Sequence, residues 1–80
     1  MKLHSLKIKA EYAKEKLKGN KPFEIRFNDR NFGIGDEIKY TCVDSKIIND
    51  IISKKRYYIA YITNYEQKDG YVVFCDKEVE

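Results

Sequence analysis

The sequence predicts an α+β fold, built as a small curled mixed β-sheet or open β-barrel with one or two short helices. Residues 56–63 and 71–75 are rich in aromatic and β-branched side chains, which is typical of strands. Two other stretches carry apolar residues at helical spacing. Short turns separate most segments, which favours antiparallel neighbours around one small core.

The first third of the chain predicts strand, helix and strand. Residues 3–8 alternate loosely between apolar and polar side chains, as in a short strand. Apolar residues recur at helical spacing across residues 9–18, and Gly19 follows in the position expected of a helix C′ residue. Residues 23–27 read Phe-Glu-Ile-Arg-Phe, an alternation of period two that predicts the next strand.

Isoleucines mark the second helical stretch. They stand at positions 47, 48, 51 and 52, after Asp44 and Ser45, either of which suits the N-cap.

A Lys-Asp-Gly turn at 68–70 precedes the last strand. Alternation places Tyr57 and Tyr61 on one face of their strand. The predicted elements of this half are a strand at 37–43, a helix around 47–52 and strands at 56–63 and 71–75.

Length and composition predict one domain spanning residues 1–80. The chain is 42% hydrophobic and 36% charged, which is too apolar for a disordered tail and too charged for a membrane segment. Its apolar runs are short and its start has no apolar signal-peptide region, so we expect a cytoplasmic protein without a membrane partner. The net charge of +3 is concentrated in the lysine-rich residues 1–21, which favours an anionic partner.

The cysteine and histidine content argues against a metal site. Cys42 and Cys75 form no pair with metal-ligand spacing, and His4 is the only histidine. We expect both cysteines to be small buried side chains, with a cross-strand disulfide as the alternative. No metal and no cofactor are expected.

A polar cluster is predicted where the first helix meets the next strand. Alternation puts Phe23, Ile25 and Phe27 toward the core, so that Glu24 and Arg26 project together from the opposite face. Lys21 precedes this strand, and the three charged residues are therefore expected to lie close together. The alternative is an exposed ion pair that contributes under about 1 kcal/mol to stability.

The same residues carry a resemblance to a known family. Residues 19–26 read Gly-Asn-Lys-Pro-Phe-Glu-Ile-Arg, which resembles the Gly-x-Lys-x-x-Glu-x-Arg signature of the ASCH (activating signal cointegrator homology) domains in the PUA-like superfamily. The likeness continues at residues 28–36, and residues 4–8 and 69–73 resemble the first and last strands of small uncharacterised bacterial members. Residues 44–55 depart from it, with isoleucines in place of a Gly-containing turn.

The resemblance implies a PUA-like barrel whose cleft binds RNA or a modified nucleotide. Lys21, Glu24 and Arg26 would form the cleft, with the arginine and lysine meeting phosphate or a base edge. For His4 the alternative to ligand binding is an ordinary structural hydrogen bond. For Arg30 the alternative is an exposed position beside a turn formed by Asp29. The further candidate ligand-binding residues are Lys7, His4, Lys18 and Arg30, with Lys14 as an additional phosphate contact.

The residues are compatible with two other functions. Some ASCH-like proteins resemble this chain and deacylate N4-acylated cytidines with a lysine and a threonine three positions later, where Glu24 stands here. An amidohydrolase would therefore rely on Lys21 and Glu24, and we favour a binding module without assigned catalytic residues. The third hypothesis is a protein-interaction module that uses the isoleucine stripe at 47–52. Covering an edge of its own sheet is the alternative role of that stripe.

Overall fold

The computed structural model describes residues 1–80 and has seven elements in the predicted order. They are β1 (Leu3–Ile8), α1 (Ala10–Leu17), β2 (Phe23–Phe27), β3 (Glu37–Cys42), α2 (Lys46–Ile52), β4 (Tyr57–Thr63) and β5 (Tyr71–Glu78). The α+β class is confirmed, because one curled mixed sheet of five strands forms a half-barrel with two helices. Strand β5 continues to Glu78, beyond its predicted end at residue 75.

The curled sheet is closed along one seam by arginine side chains. The strand order is β1-β3-β4-β5-β2, with β1 parallel to β3 and the other pairs antiparallel, so β1 and β2 are the two edges. Arg26 donates from Nη2 to the carbonyl of Lys7 at 2.9 Å, and Arg30 donates from Nη1 to the carbonyl of Ser5 at 2.8 Å. These side chains occupy backbone acceptors that a paired strand would otherwise use.

The end of α1 sets the direction of the chain into β2. Gly19 has a φ of +83°, and its N–H donates to the Lys16 carbonyl while Asn20 donates to the Glu15 carbonyl at 2.9 Å. This is a Schellman motif, and it confirms the predicted C′ role of Gly19. The tight turn brings residues 21–23 back alongside the last turn of α1.

Helix α2 confirms the predicted isoleucine helix and assigns its cap. The Ser45 hydroxyl accepts from the N–H of Ile48 at 3.2 Å, so Ser45 is the N-cap. Asp44 instead accepts from the N–H of Ala10 at 2.7 Å, at the start of α1. Ile52 is fully buried whereas Ile47 is exposed, so the stripe is divided between core and solvent.

The core lies between the concave face of the sheet and the two helices. Its largest buried side chains come from three strands and α2 and meet without solvent contact. The twelve members of the apolar core are Leu6, Ile8, Ala13, Phe32, Ile38, Tyr40, Cys42, Ile52, Tyr57, Ile59, Val72 and Phe74.

A β-bulge in β4 overturns the predicted facing of its tyrosines. Ile59 pairs with Asp76 and Tyr61 pairs with Cys75, so Ala60 is an extra residue in the ladder. Tyr57 is therefore buried while Tyr61 is 59% exposed on the opposite face. The expectation that both face the same way was wrong, because period-two alternation breaks at a bulge.

The facing predicted for β2 was also wrong. Phe23, Ile25 and Phe27 point to the convex side and are half-exposed, whereas Glu24 is buried with only 4% of its surface accessible. Apolar residues normally select the core face of a strand. Here a carboxylate takes the inward position because Lys16 and Lys21 lie there and form ion pairs with it, as described below.

The cysteines are both free, and only one is buried. Cys42 faces the core as predicted, but Cys75 is exposed on the convex side, which corrects the expectation for that residue. Strand β4 separates β3 from β5, so the two thiols do not lie on neighbouring strands.

Neither helix has the length and apolar composition needed to cross a membrane.

We expect Gly70→Ala to lower the free energy of unfolding by about 2–3 kcal/mol. Gly70 has a φ of +83°, and a Cβ there would lie 2.5 Å from Cε1 of Phe27. Gly19→Ala is the matched control, since Gly19 has the same φ but open space around it, and should cost about 1–2 kcal/mol. Urea unfolding of both variants measures the difference, and equal losses would show that the Phe27 ring moves aside without cost.

Candidate functional site

Glu24 is the centre of a buried ion cluster at the start of β2. Its Oε2 accepts from Lys21 Nζ at 2.7 Å and lies 3.1 Å from Lys16 Nζ. Its Oε1 accepts from Nε and Nη2 of Arg26 at 3.2 and 3.0 Å. A carboxylate has about four lone-pair positions, and all of them face a cation here. Glu24 therefore positions the two groove cations and has no acceptor left for a ligand.

A second layer of polar groups supports this carboxylate. Lys16 is 6% exposed, and its Nζ lies 2.8 and 3.0 Å from the two carboxylate oxygens of Asp76. Asp76 also accepts from the hydroxyl of Tyr40 at 2.5 Å. Every buried side-chain nitrogen and oxygen in the protein has a hydrogen-bond partner. The charges are thus paired, as burial requires.

The cluster fixes the ionisation of its members. Burial raises the pKa of Glu24, but the surrounding Lys16, Lys21 and Arg26 outweigh burial and hold that pKa below its ordinary value. Burial also raises the pKa of Tyr40 far above its ordinary value, helped by the nearby carboxylates of Glu24 and Asp76. Glu24 is therefore a carboxylate and Tyr40 a neutral donor at neutral pH.

An open groove of about 560 Å³ lies directly over this cluster. It runs between the end of β1, the first turn of α1 and strand β2. Four lysine or arginine side chains and four apolar or aromatic side chains form its walls, and Glu24 is its one acidic residue. The lining residues are Lys7, Ile8, Lys9, Tyr12, Lys21, Phe23, Glu24, Ile25 and Arg26.

The groove presents hydrogen-bond donors without partners beside two aromatic rings. Arg26 uses Nε and Nη2 within the protein, which leaves both N–H groups of Nη1 available. Lys21 donates to Glu24 and to the carbonyl of Phe23, which leaves one N–H. Its Nζ lies 5.5 Å from the ring centre of Tyr12 and 5.0 Å from that of Phe23.

The structure brings together four of the seven predicted site residues. Lys7, Lys21, Glu24 and Arg26 all line the groove. Lys18 does not, because it is the exposed C-cap residue of α1, where its Nζ lies 3.3 Å from Oε2 of Glu15. Lys14 likewise lies outside the groove lining.

His4 and Arg30 have structural contacts elsewhere. His4 is buried, with Nε2 2.9 Å from Oδ2 of Asp36 and its ring edge-on to Phe32 at 4.7 Å. The hydrogen bond from His4 holds the pKa of Asp36 below its ordinary value. Arg30 bonds the backbone of β1, as described above. The structural alternative offered for His4 is the one that fits its contacts.

Sequence reasoning missed the second layer and part of the groove. Lys16 falls within the stripe of Ala13 and Leu17 on α1, and a lysine in an apolar stripe is a signal of a buried charge. Asp76 continues the inward alternation of Val72 and Phe74, which also could have identified it. The other members missed were Tyr40 of the second layer, and Ile8, Lys9, Tyr12, Phe23 and Ile25 of the groove.

Comparison with known families places the chain in one of them. A family model described as a domain of unknown function (DUF3850) matches residues 3–75. The chain belongs to this family. The matched DUF3850 region contains every groove residue and Lys16, but not Asp76. No curated protein matches the chain. Since the description of DUF3850 names no activity, the functional argument depends on the geometry of the groove.

We expect Lys16→Met to lower the free energy of unfolding by about 3–5 kcal/mol, because Asp76 and part of Glu24 would lose their buried cation. Lys18→Met is the control, since that lysine is exposed and its pair with Glu15 contributes under about 1 kcal/mol. Urea unfolding of both variants measures the effect. A Lys16→Met protein as stable as the wild type would contradict a supporting role for the cluster.

We expect the stability contributed by Glu24 to depend on pH in one direction. Its folded-state pKa lies below the ordinary value of 4.5, so its contribution is fully present above pH 4.5 and is lost as the pH falls through the folded-state pKa. The difference in unfolding free energy between wild type and Glu24→Gln should therefore narrow on acidification below 4.5. Denaturant titrations at a series of pH values test this, and a difference that stays constant would show that the ion cluster does not lower the pKa.

Proposed function

We propose that the groove binds RNA or a nucleotide-like ligand, with Lys21 and Arg26 holding a phosphate group. The observation that carries this proposal is the charge balance of the groove. Lysine or arginine stands at four of its nine positions, and the single carboxylate is occupied by cations. Such a concentration of unbalanced positive charge attracts a phosphate. The two available N–H groups of Arg26 Nη1 can each donate a charge-assisted hydrogen bond to a phosphate oxygen.

The shape and the apolar wall of the groove support a nucleotide as the ligand. A volume of about 560 Å³ lies within the roughly 300–1,000 Å³ of typical small-ligand sites. The rings of Tyr12 and Phe23 are partly exposed at its wall and offer a stacking surface for an unpaired base. One phosphate and one base therefore account for both parts of the groove, so single-stranded RNA is the favoured macromolecule.

The resemblance to the ASCH signature supports the same proposal. Its three charged positions, Lys21, Glu24 and Arg26, meet in one cluster at the groove floor. The proposal thus includes a PUA-like relationship for this DUF3850 member and a cytoplasmic location. Fold likeness alone is a weak argument for function, so the available donors carry more weight.

The amidohydrolase hypothesis is less well supported by the same geometry. Lys21 Nζ lies 2.7 Å from Glu24, so the two residues on which this hypothesis relies do meet. However, three cations hold the pKa of Glu24 low, which makes this carboxylate a weak proton acceptor. Its oxygens are also already bonded. Hydrolysis stays a prediction to be tested beside binding.

We expect labelled single-stranded RNA to bind with an affinity that falls between about 50 and 200 mM salt, as phosphate contacts release counterions. Lys21→Ala/Arg26→Ala should weaken binding at least about tenfold and reduce the salt slope by about one to two. Fluorescence anisotropy measures both quantities. Arg26→Lys is a second variant that keeps the charge but removes the Nη1 donors, and it should also bind more weakly.

The matched control is Lys46→Ala/Arg56→Ala, which removes the same charge from exposed positions outside the groove. Its affinity should stay within about twofold of the wild type. Absence of binding to every RNA at low salt would overturn the proposal. Release of acyl groups from N4-acylated cytidine by the wild type, but not by Lys21→Ala, would establish the hydrolytic alternative in its place.

A further inference from the structure

The convex side of strands β2, β5 and β4 carries an uninterrupted apolar surface. The register aligns Phe23, Cys75 and Tyr61 in one row across the three strands, and Ile25, Val73 and Thr63 in the next. Phe27 and Tyr71 complete it with an edge-to-face contact at 5.5 Å. We call these residues the convex apolar face: Phe23, Ile25, Phe27, Tyr61, Thr63, Tyr71, Val73 and Cys75.

This face is larger than isolated surface residues explain. Ile25, Phe27 and Tyr61 are each more than half exposed, and Phe23 and Tyr71 are both 38% exposed. With about 150–250 Å² for each large side chain, these residues together expose roughly 400–600 Å². The largest apolar patch on a typical monomer is about 300–600 Å², and a patch of that size is often functional.

The chemistry of the face favours a protein partner over a nucleic acid. None of its eight residues is charged, whereas a track for RNA needs cations to meet the phosphates. Aliphatic Ile25 and Val73 lie between the rings, so the rings do not form a continuous stacking platform. Depletion of charge with enrichment in aromatic side chains is instead the composition of the centre of a protein interface.

We infer that the convex apolar face is the interface of a symmetric homodimer. Stable interfaces cover about 600–1,000 Å² on each partner, and the roughly 400–600 Å² of exposed apolar surface on this face approaches the lower end of that range. Self-association about a two-fold axis is the commonest way to cover such a face. The smaller side chains Val73 and Cys75 lie at the middle of the face, with the large rings around them, so the rings of one copy can lie over Val73 and Cys75 of the other.

The dimer also explains why the apolar residues of β2 point outward. The sheets of the two copies would pack face to face about 10 Å apart, as in a β-sandwich, and would remove Ile25 and Phe27 from water. Phe23 and Ile25 lie at the border between this face and the groove. The inference does not rest on the proposed nucleotide binding, because it uses only the composition and area of the face.

Analytical ultracentrifugation over a range of concentrations tests the dimer. The wild type should sediment at twice the chain mass of 9.5 kDa at high concentration. Tyr61→Glu should raise the dimer dissociation constant at least about a hundredfold, because each interface would bury two unpaired carboxylates. Ile47→Glu is the matched control: Ile47 is also apolar and exposed but lies on α2, and this variant should dimerise like the wild type.

The reactivity of Cys75 gives a second measurement that does not depend on a variant folding. Its thiol is exposed in the single chain and would be covered in the dimer, while Cys42 is buried in both. Labelling of Cys75 should therefore slow as protein concentration rises. A wild type that remains monomeric, or a dimer lost in Ile47→Glu and kept in Tyr61→Glu, would overturn the inference. So would a monomer in which Tyr61→Glu weakens RNA binding, which would assign the face to base stacking.

Discussion

The salt bridge from Lys16 to Asp76 and Glu24 is the contact on which the rest of this structure depends. It joins α1 to two strands, and the Tyr40 hydroxyl extends it to a third. A domain of 80 residues has a small core, so an unpaired charge inside it would remove a large fraction of its stability. The cluster is tolerated because every member has partners, and those partners fix how helix and sheet meet.

The groove is a consequence of this buried cluster. Glu24 has its oxygens held by cations from three directions, so it orients Lys21 and Arg26 toward the groove. Arg26 also holds the backbone of β1, which couples the position of the groove wall to closure of the half-barrel. The side chain that would meet a ligand is therefore preorganised by the fold, which lowers the entropic cost of binding.

The same inward carboxylate accounts for the convex apolar face. A strand has two sides, so placing Glu24 and Arg26 inside puts Phe23, Ile25 and Phe27 outside. The bulge at Ala60 has a parallel effect on β4, because it sends Tyr61 outward. Groove and face are thus two results of the orientation of β2, whose charged side chains lie on the concave side beside the core and whose apolar side chains lie on the convex side.

The sequence by itself determined the element order, the α+β class and the proximity of Lys21, Glu24 and Arg26. Local rules suffice for these features, because strand alternation, the Gly19 stop and the Ser45 cap act over a few residues. Only the tertiary structure decided which face of β2 is buried, since that depends on a lysine of α1 and an aspartate of β5, 60 residues apart in the chain. The energy of pairing these charges outweighs the preference of apolar side chains for the core. Because the partners lie in other elements, the sequence of β2 alone carries no pattern that predicts this pairing.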